Sequence, residues 1–452
     1  MKITIIGVGK VGKVVTEYLS NEGHDIVIID TNADLIEELV NIYDVKGVVG
    51  NGASLDIQLE AEVDKADILI ATTGSDELNI LCSLVAKKNN VKHTIVRVRN
   101  PEYSKQMEFM YNELGVNLVV NPELEAANEI FKLLKYPSSS KINYFANEQA
   151  EIVELQLTKD SMLVGKPLYK LHSEFGVRFL VSTVERNNQV YIPSGNFVLE
   201  ENDKIFITAS HEDINTLFKK LKVFKQSSRK VMIIGGGKIS YYLATQLIKN
   251  KIKVKIIEFD KVRCNELSDL LPEAEIIFGD GSDQSLLIEE GLKDVDAFVS
   301  LTGFDEENII MSLFAETVKV PKVITKTNHH SYSNILEKVG LGSAVSPKYT
   351  TALQISRYVR SLGNTVTQVR NLYKIVNDQI EVAEFYITET CSFTNKTFKE
   401  LEFKPNVLIA CIVRDNKVII PTGADYLLAE DSVVVVTTIK HLKEFQDVLL
   451  KV

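Results

Sequence analysis

The sequence predicts an α/β protein made by tandem duplication: two doubly wound units, each followed by a small α+β module. Two observations predict it. The segment Lys2-Ile-Thr-Ile-Ile-Gly-Val-Gly-Lys-Val-Gly12, an apolar strand running into a glycine turn, returns about 228 residues later as Lys230-Val-Met-Ile-Ile-Gly-Gly-Gly-Lys-Ile-Ser240. After each copy, short apolar strands alternate with helical patterns, as in a parallel sheet, and then give way to a denser run of short strands.

In chain order, strands are expected at Lys2–Ile6, Asp25–Asp30, Lys46–Val49, Ile68–Ala71, 93–98 and Leu118–Val120, with helices such as 11–21 and 77–88 between them. Their number and order fit a six-stranded, Rossmann-like sheet with right-handed crossovers. This unit spans residues 1–137. Pro137-Ser-Ser-Ser140 then reads as a linker. A small module follows over 141–224, with strands at 151–157, 177–184, 189–192 and 204–208 around a helical piece at 167–173. A second polar linker, 225–229, precedes the restart. The second large unit is expected over 229–360 and the second small module over 365–452.

The repeat reaches well past the glycine turns. Gly50-Asn-Gly-Ala-Ser54 matches Gly279-Asp-Gly-Ser-Asp283, and Thr73-Gly-Ser-Asp-Glu-Leu-Asn79 matches Thr302-Gly-Phe-Asp-Glu-Glu-Asn308. Arg97 aligns with Lys326, and in the small modules Ile192-Pro-Ser-Gly195 aligns with Ile420-Pro-Thr-Gly423.

The 452 residues suffice for several cores, and 45% apolar with 25% charged content is ordinary for a globular chain. A net charge of -10 argues against a nucleic-acid partner, because phosphate recognition needs a basic surface. Cys82, Cys264, Cys391 and Cys411 lie far apart, which fits reduced thiols and implies neither a zinc site nor a disulfide framework. The chain opens on a strand without a signal-like segment, and no apolar run approaches the ~18 residues of a membrane span. Any membrane role is expected to be peripheral.

Gly7-Val-Gly9-Lys-Val-Gly12 is a complete G-x-G-x-x-G that follows a strand, opens a helix and is answered by an acid, Asp30, at the end of the next strand. The three glycines act differently. Gly7 permits the turn, Gly9 lets a pyrophosphate approach, and Gly12 lets helix and strand pack closely. The helix starting near Lys10 would point free N–H groups and its positive dipole end at phosphates. Asp30 would accept from ribose hydroxyls and repel a 2′-phosphate, favouring NAD over NADP. Arg97, at the carboxyl end of a strand, is placed either to pair with phosphates or to form a surface ion pair.

The second loop, Gly235-Gly-Gly237-Lys-Ile-Ser240, keeps the first two glycines but has Ser240 in place of the packing glycine. Glu258 can still hold a ribose. Lys326 would supply a counter-charge without the arginine fork. Other constellations carry less. His329-His330 would point to opposite faces of an extended segment, and His24, His93, His172, His211 and His441 have no partners at ligand spacing. No nucleophile elbow or zinc-protease motif is present. Glu123, Glu125 and Glu129 read as a solvated helix face. No catalytic residue and no metal site is expected.

The large–small–large–small order, the Ala71-Thr-Thr-Gly-Ser-Asp-Glu-Leu-Asn79 segment and both glycine loops resemble the TrkA family, regulatory subunits of Trk potassium uptake systems, whose large units are called RCK or KTN domains. The resemblance covers essentially the whole chain. It implies a cytoplasmic protein, peripheral to the inner face of the membrane, that binds NAD(H) or ATP and ADP and gates a separate potassium-translocating subunit. It also implies that the first pocket uses Gly7, Val8, Gly9, Lys10, Val11, Gly12, Asp30, Asn51, Thr72, Thr73 and Arg97. Asn51 stands where an Asp is usual. The second pocket would use Gly235, Gly236, Gly237, Lys238, Ile239, Glu258, Asp280 and Lys326. Related channels use rings of eight large domains, so four chains would close an equivalent ring as a homotetramer. Two alternatives stand beside this reading: an NAD-dependent dehydrogenase with a duplicated cofactor domain, and a regulator of another cation transporter. Against the first, modules of about 70 residues offer no acid–base group and no substrate cavity.

Overall fold

Apolar runs ending in glycine turns build the first sheet. The computed structural model describes residues 1–104, 106–135, 142–146, 149–222, 229–328, 332, 336, 339, 341, 343–362, 367, 369–376, 379–389, 391–440 and 442–450. The linker read at 137–140 and, apart from Arg229, the one read at 225–229 lie outside these residues. Strands β1 (Lys2–Ile6), β2 (Asp25–Asp30), β3 (Lys46–Val49), β4 (Ile68–Ala71), β5 (His93–Arg97) and β6 (Leu118–Val120) form one sheet in the order β3-β2-β1-β4-β5-β6. Every pair is parallel.

Because side chains alternate along a strand, Ile3, Ile5, Ile26, Ile28, Ile68, Ile70 and Ile95 face one core while Ile29, Leu69, Ala71 and Val96 face the other. Both faces are therefore covered, as parallel sheets require. The second large unit repeats the plan. Strands β12 (Lys230–Ile234), β13 (Lys253–Glu258), β14 (Glu275–Phe278), β15 (Ala297–Ser300), β16 (Lys322–Lys326) and β17 (Ala344–Val345) pair in the order β14-β13-β12-β15-β16-β17.

The small modules are antiparallel. The first contains β7 (Ile142–Phe145), β8 (Ala150–Gln156), β9 (Leu180–Arg186), β10 (Gln189–Tyr191) and β11 (Lys204–Ser210), in the order β10-β9-β11-β8-β7. The second contains β18 (Val369–Ile375), β19 (Ile380–Tyr386), β20 (Val407–Arg414), β21 (Lys417–Ile419) and β22 (Ser432–Thr437), in the order β18-β19-β22-β20-β21. Two corrections to the sequence reading arise here. β7 is a strand that the sequence pattern does not predict. And the strand expected at 177–184 is Leu180–Arg186, because the helix Leu168–Phe175 ends on Gly176 at φ +55 and Val177 and Phe179 are buried as loop residues. The two small sheets share a core in which Phe145, Ile152 and Phe206 meet Ile380, Val382, Ala410 and Val434.

The helices that leave each large sheet cross to the other one. The first connecting helix, Pro122–Lys135, buries Ala126, Ala127, Ile130, Leu133 and Leu134 against β12, β13 and β15 and the glycine-loop helix Lys238–Lys249 of the second unit. The second connecting helix, Pro347–Ser361, buries Ala352, Ile355 and Val359 against the first unit and its glycine-loop helix Lys10–Asn21. Polar contacts pin both: Gln246 Nε2 donates to Asn128 Oδ1 at 2.6 Å, and Arg360 pairs with Glu22. The connecting helices also touch each other, where Thr350 Oγ1 donates to Glu129 Oε2 at 2.7 Å. The expectation of a solvated face for Glu123, Glu125 and Glu129 is thereby corrected. All three are partly buried, and burial pushes the Glu129 carboxyl above its usual range.

A further contact joins the second large unit to the first small module. Lys322, at the start of β16, is 5% exposed, and burial pushes its ammonium down to about 8, against the pull of Glu154 and Glu316. Below that pH the buried charge costs stability. Between it and the unfolded lysine value of about 10.4 the folded chain has released a proton that the unfolded chain still holds, so stability rises with pH. Lys322→Met is expected to flatten that rise across roughly pH 8 to 10, read from urea midpoints. An unchanged slope would show that Lys322 does not titrate there.

Candidate functional site

A cleft opens at the carboxyl end of the first large sheet, where β1 runs into its glycine turn, and the loop after β12 occupies the corresponding position on the second sheet. In the first, Gly7 adopts φ +84, and a Cβ there would lie 2.6 Å from the Thr73 amide nitrogen. Only glycine fits both demands. Gly9 caps the Lys10–Asn21 helix, with no side chain satisfying the first N–H groups. A Cβ on Gly9 would meet nothing within 4 Å, so the backbone faces open space. The space is a cavity of about 420 Å³.

Of the residues expected at this cleft, Gly7, Gly9, Lys10, Asp30, Asn51, Thr72, Thr73 and Arg97 line the cavity. Val8, Val11 and Gly12 do not. Val8 and Val11 are buried in the core beneath, and Gly12 packs directly against the Gly7 carbonyl. Their contribution is to hold the loop. Ile6, Ile29, Thr31, Gly50, Gly52, Gly74 and Leu78 complete the lining. Three of these, Ile6, Thr31 and Gly50, sit at a strand end or the residue after it, a signal that strand spacing carries and motif reading passes over.

The lining is wired by its own side chains. Asp30 accepts from Val8 N at 2.9 Å through one oxygen and from Asn32 N at 3.0 Å through the other. Thr72 Oγ1 donates to the Gly7 carbonyl at 2.7 Å. Asn79 accepts from Thr73 N at 2.7 Å and donates to the Arg97 carbonyl at 2.9 Å, tying the β4 loop to β5. Asn51 Oδ1 accepts from Ala53 N at 3.0 Å. Burial lowers the pKa of the Arg97 guanidinium, and its Nε is buried without a hydrogen-bond partner. An unsatisfied cationic donor beside free helix amides fits an anion such as a phosphate. The acid at the far end of the cleft fits ribose hydroxyls. The residues therefore suit a dinucleotide or an adenine nucleotide.

The second cleft repeats this wiring with substitutions. Gly235 takes φ +91, and Gly237 caps the Lys238–Lys249 helix without a side-chain cap. Ile239 is buried, like Val11. Glu258 accepts from Gly236 N at 2.5 Å and from Asp260 N at 2.8 Å. Asn308 accepts from Thr302 N at 2.9 Å and donates to the Lys326 carbonyl at 3.2 Å. Lys326 Nζ donates to the Thr302 carbonyl at 2.8 Å, and burial lowers its pKa. Asp280 Oδ1 accepts from Ser282 N at 2.8 Å.

Ser240 turns out to be one half of an exchange. Its buried hydroxyl donates to the Gly235 carbonyl at 2.5 Å, the bond that Thr72 makes to Gly7 in the first copy, while Leu301 stands where Thr72 stands. A second feature escapes sequence reasoning. Arg263 Nε donates to the Gly236 carbonyl at 2.7 Å and so lies against the middle of the loop.

The histidines disperse. His172 Nδ1 lies 2.9 Å from the Val177 carbonyl, His211 Nδ1 2.7 Å from Glu151, and His93 Nδ1 3.2 Å from Tyr358 Oη. His329, His330 and His441 lie outside the described residues.

Comparison with known proteins bears on the chain as a whole. The TrkA-N domain model matches residues 3–122 and 231–347, and the TrkA-C domain model matches 152–222 and 382–450. Trk system potassium uptake protein TrkA homolog 1 of Methanosarcina mazei is 33% identical over 448 residues, covering 96% of this chain and 97% of its own. Trk system potassium uptake protein TrkA of Vibrio alginolyticus is 30% identical over 438 residues, covering 96% and 95%. Among solved structures, the GsuK channel bound to NAD is similar in fold, with a TM-score of 0.61 at 17% identity over 96% of this chain and 76% of that one. The chain belongs to the TrkA family.

Proposed function

We propose that this TrkA family member is a non-enzymatic regulatory subunit that binds NAD(H), ATP or ADP in its clefts and gates a Trk-type potassium-translocating membrane protein. The observation that carries the reading is the cross-docking of the connecting helices. Each glycine-loop helix, whose N-terminus faces a cleft, is packed against the connecting helix of the opposite unit. A ligand that moves one of these helices therefore moves a contact between the two units. The names of the relatives support the potassium system, and the NAD bound to the GsuK channel supports NAD as a ligand. Among the described residues no helix is long and apolar enough to cross a membrane, which fits a subunit docked on the inner face of the membrane beside its partner.

In this reading four chains close a ring of eight large domains. Nucleotides shift its shape only by binding two shapes with different affinity, and a bias of ~1 to 3 kcal/mol is the usual size of such coupling. Identical X-ray scattering profiles with NADH, ATP and ADP would contradict the mechanism. The direct test is a pull-down from detergent-solubilised membranes with and without NADH or ATP. Nucleotide-sensitive retention of a potassium-translocating protein supports the proposal, and retention of soluble proteins alone counts against it.

Asp30 is the ribose ligand of the first cleft. Asp30→Ala is expected to weaken NADH binding there by about 1.5 to 3 kcal/mol, the range for charged hydrogen bonds, measured by calorimetry. Because Asp30 also holds Val8 N, Asp30→Asn serves as the control that keeps an acceptor in place. Unchanged affinity in Asp30→Ala would remove it from the site.

A further inference from the structure

The two clefts differ most at the residues that follow the acid. In the first, Asp30 is followed by Thr31, and Leu35 packs against the core. In the second, Glu258 is followed by Phe259, 76% exposed, and the position of Leu35 is taken by Arg263. Glu258 and Arg263 hold the same residue from two sides: the carboxylate accepts from Gly236 N and the guanidinium donates to Gly236 O. The acid is also withdrawn. Glu258 is only 7% exposed, where Asp30 is half-buried, although both acids accept backbone N–H groups through both oxygens. Gly236 leaves room for this arrangement, since a Cβ there would lie 2.5 Å from Leu267 Cδ1 and 3.0 Å from Glu258 Oε2.

We propose that Arg263 makes the second cleft selective for an adenine nucleotide whose ribose carries a phosphate, while the first cleft takes the unphosphorylated ribose. The inference rests on the nucleotide-binding reading above. A carboxylate at the end of the second strand ordinarily reads a free ribose hydroxyl and repels a phosphate on it, whereas a nearby arginine accommodates that phosphate; here the burial of Glu258 and the cation of Arg263 beside the loop favour the second case. The guanidinium fork matches a phosphate as no other side chain does. Its remaining partner, Glu266, pairs with Nη1 at 2.8 Å and is itself 55% exposed. Such a surface pair is weak and exchangeable. The exposed ring of Phe259, adjacent to Glu258, offers a flat apolar face to a purine.

The test separates the clefts within the intact chain. Gly9→Val obstructs the first and Gly237→Val the second; a Cβ at either position meets nothing within 4 Å, so both variants are expected to keep the fold, which their urea midpoints check. Calorimetry then compares 2′,5′-ADP, 5′-ADP and inorganic phosphate. In the Gly9→Val protein, 2′,5′-ADP is expected to bind roughly tenfold or more tightly than 5′-ADP, the scale of one charge-assisted hydrogen bond. Adding Arg263→Leu, the residue of the first copy, should erase that preference, and Gly237→Val alone should show 5′-ADP preferred. A preference that survives Arg263→Leu overturns the proposal, as does inorganic phosphate competing equally with 2′,5′-ADP. Binding of 5′-ADP to the second cleft without preference overturns this proposal alone. No binding of NADH or either ADP to any form overturns the nucleotide reading with it.

Discussion

Valine at position 9 is expected to leave the fold intact and to abolish nucleotide binding at the first cleft, while valine at position 12 damages the fold itself. The two glycines stand three residues apart, Gly9 at the helix cap and Gly12 in the first turn of the helix, and their surroundings are opposite. Gly9 has φ -65, outside the left-handed region that favours glycine, and a Cβ there meets nothing within 4 Å. Added methyl groups project into the space a pyrophosphate must enter, so NADH affinity should fall by more than 100-fold, about 2.7 kcal/mol. The melting temperature should not move. At Gly12 a Cβ would overlap the Gly7 carbonyl oxygen and come within 3.0 Å of Thr72 Oγ1. Overpacking usually costs about 1 to 3 kcal/mol, and here the obstacle is backbone, which cannot change rotamer. Gly12→Val should therefore lower the urea midpoint before any question of ligand arises. If Gly9→Val bound NADH normally, the placement of the first cleft would be wrong.

Much of this is legible in the sequence, for a physical reason. A strand buried on both faces must be apolar throughout, and a turn with positive φ must be glycine, so Lys2–Gly7 and Lys230–Gly235 announce themselves. Asp30 and Glu258 are legible because the crossover connection fixes how many residues separate the loop from the next strand end. Other features are not written locally. The amphipathic pattern of Pro122–Lys135 says that one face is buried, not that the neighbour is a helix more than 100 residues downstream. β7 follows directly on a Pro-Ser-rich segment and is mostly half-buried, so nothing in its composition marks a ladder. The exchange of Gly12 and Thr72 for Ser240 and Leu301 joins positions that meet only in three dimensions. Arg263 reads in sequence as half of an ordinary i, i+3 ion pair with Glu266, and only the fold lays it against Gly236.

The cross-docked helices make a prediction that separates this architecture from two independent domains in series. Ile130 lies in the chain between β6 of the first unit and the first small module, yet it is fully buried against the second unit's sheet and glycine-loop helix. Ile130→Ala is expected to cost about 2 to 5 kcal/mol, as cavity-forming changes in cores do, and the loss should fall on the second unit. Hydrogen exchange would report it as lost protection in Lys230–Ile234 and in the Lys238–Lys249 helix, with β1 and β2 little changed. Leu39→Ala, also fully buried but in the first unit's own core, should do the reverse. Were Ile130→Ala to loosen β1 and β2 alone, the helix would belong to the unit it leaves, and the contact we assign to signalling would not exist. The expected pattern has a functional corollary. A helix that begins one residue after Asn121, whose side chain donates to Tyr242 Oη on the opposite unit at 3.1 Å, joins the edge strand of the first sheet to the glycine-loop helix of the second unit. Two sites coupled through a shared packed element bias each other by necessity, and reciprocally. Ile130→Ala should accordingly weaken ligand binding at the second cleft, and it should also reduce the effect that a ligand in the first cleft has on that binding.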